Sequence, residues 1–93
     1  MATQTFNLSG LGAKDSATIT ALAGEKVRIR FSSITGTPDL QLVVTANAVT
    51  SYYPIDDRTA WVTDAILAAD AVGVRMIGAT ASDAAVGIIE SGA

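Results

Sequence analysis

The 93-residue sequence predicts an all-β fold: a single small antiparallel β-sandwich, jelly-roll-like, or a barrel, built from seven to eight short strands. Three observations carry that expectation. Apolar and polar residues alternate with a period of two through several short segments, as strands with one buried face require. Turn-forming residues recur at intervals of roughly ten, the spacing of sandwich and barrel proteins. No stretch between those turns has room for the crossover helices of a parallel α/β sheet.

The elements follow in order. A first strand puts Phe6 and Leu8 on one face and Thr5, Asn7 and Ser9 on the other, and residues 10–15 read as the loop that closes it. Ala17, Ile19 and Ala21 alternate with Thr18 and Thr20, and Ala23-Gly24-Glu25 supplies turn chemistry, so a hairpin centred near Gly24 is expected. Its second strand, residues 26–31, is the clearest in the chain: Val27, Ile29 and Phe31 against Lys26, Arg28 and Arg30. Residues 32–39, with Gly36 and Pro38, read as a surface connection. Leu40, Leu42 and Val44 resume the alternation, and a strand over residues 49–53 stops at Pro54, which has no amide proton for a ladder. Residues 54–58 are the longest polar loop, and residues 60–63 carry the sole tryptophan. Over residues 64–71 a single helical turn capped by Thr63 competes with an extended segment bending at Ala69-Asp70. The bend is preferred, because helices under about 12 residues need strong tertiary support. Residues 72–80 place Val72, Val74 and Met76 on one face. The last strand, residues 84–90, has Val86 and Ile88 on one face and Ile89 on the other. The expected interior is Phe6, Ile19, Val27, Ile29, Phe31, Leu42, Val44, Trp61, Val74 and Ile88.

Composition narrows the function. Cysteine and histidine are both absent, which removes disulfides, thiol and imidazole nucleophiles, histidine acid–base pairs and ordinary zinc or haem ligation. No cofactor is expected, and the reading is that the chain is not an enzyme. Its net charge of −3 has the wrong sign for a phosphate-binding surface, so nucleic acid is not an expected partner. No apolar run approaches the ~20 residues that span a bilayer, and residues 1–10 lack the basic start and apolar stretch of a secretory signal. The chain is therefore expected to be a complete single domain, residues 1–93 with short extended ends, made in the cytoplasm and not membrane-bound. Ala, Thr, Gly and Ser make up 43 of 93 residues and charged residues only 16%, below the ~25% usual in soluble domains. With mean hydropathy of +0.41, such a surface suits burial against neighbours, so a homo-oligomer, trimer or dimer, is expected.

Three groups of residues are candidate sites. Lys26, Arg28 and Arg30 form a cationic stripe able to dock an acidic protein surface or an anionic glycan; such stripes also serve simply to stop a sheet from pairing with strangers. Asp56, Asp57 and Asp64 are the densest carboxylates. They lack the spacing and terminal glutamate of an EF-hand, and turn formation with a salt bridge to Arg58 accounts for them as well as calcium does. Tyr52, Tyr53 and Trp61 can form a stacking platform for sugars or an interface anchor, or divide between core and surface.

The run Ala23-Gly24-Glu25-Lys26-Val27-Arg28-Ile29-Arg30-Phe31 and the run Ala69-Asp70-Ala71-Val72-Gly73-Val74-Arg75, set in a short, acidic, cysteine-free chain, resemble tailed-phage virion components, in particular capsid decoration (cement) proteins. The resemblance is one of style and strand layout. It implies a bacteriophage structural protein on the virion surface, made in the host cytoplasm, that binds the major capsid or another virion protein and strengthens the shell. The alternative from a different class is a carbohydrate-binding β-sandwich module using Tyr52, Tyr53 and Trp61.

Overall fold

The alternation through Lys26, Val27, Arg28 and Ile29 does what a half-buried strand requires, with both apolar side chains fully buried and the cations outside. In the computed structural model, which describes residues 2–62 and 71–92, these residues open β3 (Lys26–Thr35). The other strands are β1 (Ala2–Ser9), β2 (Gly12–Asp15), β4 (Asp39–Ala46), β5 (Val49–Pro54), β6 (Ala60–Val62), β7 (Ala71–Gly78) and β8 (Ala84–Gly92).

They form two four-stranded sheets in the orders β1-β8-β3-β6 and β2-β7-β4-β5, antiparallel throughout. The pairs β1–β8, β2–β7, β3–β6 and β4–β5 are those of one long hairpin, rolled so that successive strands of each arm fall in alternate sheets. That arrangement is a jelly roll, an all-β sandwich of eight strands. The hairpin's tip is Asn47-Ala48, whose positive φ angles of 52° and 63° match the two-residue turn that fits strand twist.

Two expected connections turn out differently. Residues 12–15 are β2, paired with β7, where a loop was expected; Ala13, Lys14 and Asp15 are exposed, so this edge strand has no apolar period to announce it. The hairpin at Gly24 does not form. Both sides of β3 are taken, by β8 and β6, and Ile19 instead exchanges two backbone hydrogen bonds of 2.8 Å with Val72 of β7. Ile19 and Ala21 are buried as the alternation implies, while Ala17 is exposed. Gly24 is still a turn residue, with φ +89° in the Leu22 to Glu25 turn that passes the chain from one sheet to the other.

β3 also runs past its expected end. A bulge between Phe31 and Ser33 sets two serines against Val86 and moves the inward set from odd to even residues, so that Ile34, not Ser33, faces the core. The helix-or-bend alternative for residues 64–71 lies outside the described residues except for Ala71, which begins β7.

The interior joins both sheets through Phe6, Leu8, Val27, Ile29 and Ile89 on one side and Leu40, Leu42, Val72, Val74 and Met76 on the other. Phe31, Val44 and Trp61 pack against it while partly exposed. Ile88, expected inside, lies on the outer face, and Ile89 takes the buried position. Across β8 the register Phe6–Gly87–Phe31 leaves the middle place without a side chain. The two rings meet there edge to face, centroids 5.7 Å apart at 82°.

One buried carboxylate organises the end of the sandwich where β7 turns into β8. Asp83, 3% exposed, accepts hydrogen bonds from the amides of Ala79 (2.8 Å) and Thr80 (3.4 Å) and from the Thr80 hydroxyl (2.9 Å). The Ala79 bond is the main reason its pKa lies below the ordinary carboxylate value, outweighing desolvation. A side chain on Gly36, at φ +77°, would collide with this carboxylate, so glycine is required there on two counts.

Candidate protein-binding face

Because β8 and β3 are neighbours, their registered outward side chains form rows across the first sheet. Thr3, Glu90, Arg28 and Val62 make one row, and Thr5, Ile88, Arg30 and Ala60 the next. Asn7 and Val86 continue the pattern toward the bulge, where the Ser32 hydroxyl donates to the Val86 carbonyl at 3.1 Å. Lys26, Arg28 and Arg30 thus all lie on this outer face, opposite Gly92, Glu90 and Ile88 in turn, and the half-buried Val86 lies one rung beyond Ile88. Val62 extends the apolar surface at 51% exposure.

An open groove of about 710 Å³ runs along this face between Thr5 and Asn7 on one side and Arg30 and Ser32 on the other, with Val86 and Ile88 in it. Arg30 reaches Glu90 at 3.4 Å, a weak pair given its 63% exposed side chain. Lys26 and Arg28 have no ion-pair partner among the described residues. Three of the six basic residues therefore share one face of a chain whose net charge is −3.

The aromatics do not assemble into one platform. Tyr52, opposite Val43, lies on the outer face of the second sheet, where the Arg75 guanidinium stacks 4.4 Å from its ring centroid. Arg75 is in turn held by both Asp15 oxygens at 2.9 and 3.2 Å, and that hydrogen bond, more than burial opposes it, raises the arginine's pKa. Tyr53 shares the inward face of Leu42 yet is 49% exposed, because β5 is an edge. Trp61, opposite Ile29, points into the sandwich. The small recess of about 170 Å³ beside Tyr52 and Arg75 is floored by Gly73, over which Ser16 and Thr18 cross.

Asp56 and Asp57 are exposed, and Asp57 accepts from the amides of Thr59 (2.8 Å) and Ala60 (3.3 Å), a turn-forming role. Arg58 does not pair with either carboxylate; it donates to the Pro38 carbonyl at 2.8 Å. Asp64 lies outside the described residues, among which no three metal-ligating side chains converge.

The class these observations define is an eight-stranded antiparallel jelly-roll sandwich with a cationic and apolar outer sheet face. No family model matches the chain, and no curated protein matches it. Among solved structures it is similar to PliG of Aeromonas hydrophila, a periplasmic inhibitor of g-type lysozyme, at 15% identity and a TM-score of 0.54, over 97% of this chain and 82% of that one. A de novo designed double-stranded β-helix aligns at 6% identity and a TM-score of 0.47, over 99% of this chain and all of that one.

Proposed function

We propose that this chain acts by binding rather than by catalysis, as a structural protein that seats on a protein assembly such as a capsid shell through the outer face of the β1-β8-β3-β6 sheet. The observation that carries the reading is the outward row Lys26, Arg28 and Arg30, whose Arg30 end is registered with the half-exposed Ile88, with Val86 one rung beyond. An apolar centre with charged residues around it is the usual anatomy of a protein interface, and the cations select an acidic partner surface and speed encounter with it. PliG, itself a protein inhibitor, is a precedent for a sandwich of this shape that works by contacting another protein; at this identity it supports the fold and not the partner. The carbohydrate-binding alternative draws no support from the geometry, since Tyr52 lies on the outer face of the second sheet while Tyr53 and Trp61 take inward positions, so the three form no single exposed platform.

Gradient-purified particles from the strain that carries this gene test the reading. The protein is expected at a fixed ratio to the shell protein, released by high salt, and lost from particles when Arg28→Glu and Arg30→Glu are combined in a chain that still melts cooperatively. Absence from the particles, or undiminished retention of the double variant, overturns it.

A further inference from the structure

The four strands that end the two sheets are not equally defended against pairing with another chain. β2 is four residues long and carries Lys14 and Asp15; β5 is six and closes on Pro54. Shortness, charge and proline are the devices that blunt a sheet edge. β1 has none of them. Its eight residues, Ala-Thr-Gln-Thr-Phe-Asn-Leu-Ser, contain no charge, no proline and no glycine, and its ladder with β8 runs without a bulge.

The ladder also shows which backbone groups that edge presents. The Gly10 amide donates to the Asp83 carbonyl at 2.9 Å, one step beyond the Ser9–Ala84 pair. Hydrogen-bonded and non-hydrogen-bonded pairs alternate along an antiparallel ladder, so Leu8, Phe6, Gln4 and Ala2 bond to β8. Thr3, Thr5 and Asn7 turn their N–H and C=O groups away from it. In keeping with that parity, the Thr5 carbonyl is available to the Gln4 side-chain amide, which donates to it at 3.1 Å.

We propose that β1 is a self-association edge, pairing antiparallel with β1 of a second copy about a two-fold axis at Thr5. Centred there, Thr5 faces its own counterpart and Thr3 faces Asn7 of the other copy. These are the residues whose backbone groups point outward, so each of the three pairs exchanges two hydrogen bonds. Side chains agree as well: an isologous pair sets a residue near the axis against itself, which a charged edge resists and this uncharged one does not. Exposed Thr3, Thr5 and Asn7 meet on the outer face, and Phe6 and Leu8 stay in their own cores. The inference is independent of shell binding, since it rests on the strand edge and not on the sheet face.

Sedimentation equilibrium of the full chain tests it at low salt, without any assembly present. The wild type is expected to dimerise at micromolar to millimolar concentration. Thr5→Pro, which removes an amide proton that points away from β8 and so spares the fold, is expected to weaken the dimer at least tenfold. Thr5→Lys and Thr5→Glu each set like charges on the axis and weaken it severalfold, whereas an equimolar mixture of the two restores association. Circular dichroism melts of each variant confirm folding. A wild type that stays monomeric throughout, a dimer indifferent to Thr5→Pro, or a mixture no tighter than its components overturns the proposal, and none of these results bears on whether particles carry the protein.

Discussion

Gly87→Ala is a one-methyl change with a large expected cost. A Cβ at that position would press inside contact distance on the Arg30 carbonyl oxygen, and would lie 2.9 Å from Phe6 Cζ and 3.0 Å from the Arg30 carbonyl carbon. The phenylalanine ring can tilt. Arg30's backbone cannot, because β3 is fixed between β8 and β6, and β8 cannot withdraw because β1 holds its other side. Overpacking of this kind costs about 1–3 kcal/mol, and a backbone obstacle puts the site at or above the top of that range. Loss of glycine's freedom in the unfolded chain offsets about 0.4–1 kcal/mol. The net loss is then roughly 2–3 kcal/mol, a fall in Tm of about 10–20 °C for a domain of this size. Calorimetry and urea titration measure it, with an unchanged m-value showing that stability alone has moved. In the Gly87→Ala background, Phe6→Leu is expected to cost less than it does alone, because the ring contact has become a repulsion. A Gly87→Ala protein melting within about 2 °C of wild type would refute the close approach of β8 and β3 that the register requires.

Three further outcomes follow from features already described. Ala48→Gly is expected to stabilise by up to about 1 kcal/mol, since the left-handed conformation costs an L-residue roughly 1–2 kcal/mol and glycine's added entropy recovers part of that; an unchanged or lower urea midpoint counts against the turn. Asp83 has a folded pKa below its unfolded one, so its contribution is fully present above about pH 4 and is lost as pH falls through the folded value; wild-type Tm should drop more steeply than that of Asp83→Asn between pH 5 and 2.5, and parallel curves would remove its role. Ile29→Asp, at a completely buried site, should abolish the cooperative melt, because an unpaired carboxylate costs several kcal/mol in a domain with about 5–10 to lose.

Much of the sandwich was readable from alternation alone, and the exceptions share a cause. A period of two reports which face is buried, not which strand lies alongside. Ile19 and Ala21 were thus correctly placed inside but assigned to the wrong neighbour, β3 in place of β7. In β8 the same period separates Ile88 from Ile89 but does not say which face is buried, and the expected choice of Ile88 is wrong because the packing of two sheets puts Ile89 inside. The bulge at Ser32-Ser33 broke the alternation and looked like a loop. Of the site, the cationic stripe was visible because it lies on one strand. Its apolar companions Val86 and Ile88, and the pairing of Tyr52 with Arg75, depend on cross-strand register between distant segments. Asp83 was passed over, although Thr80-Ala81-Ser82-Asp83 is the kind of polar run in which an aspartate closes a turn on backbone amides.

The position of β8 has a kinetic meaning. It fills the gap between β1 and β3, so the first sheet remains two unconnected pieces until residues up to Gly92 have left the ribosome. The β4–β5 turn, by contrast, closes over two residues and can form early. Folding is therefore expected to proceed from the tip of the rolled hairpin toward its ends, with the β1–β8 ladder last and slow, in the range of milliseconds to seconds typical of non-local β topologies. During that interval β1 lacks its one sheet neighbour, and chaperone capture or premature strand exchange would act at this one place.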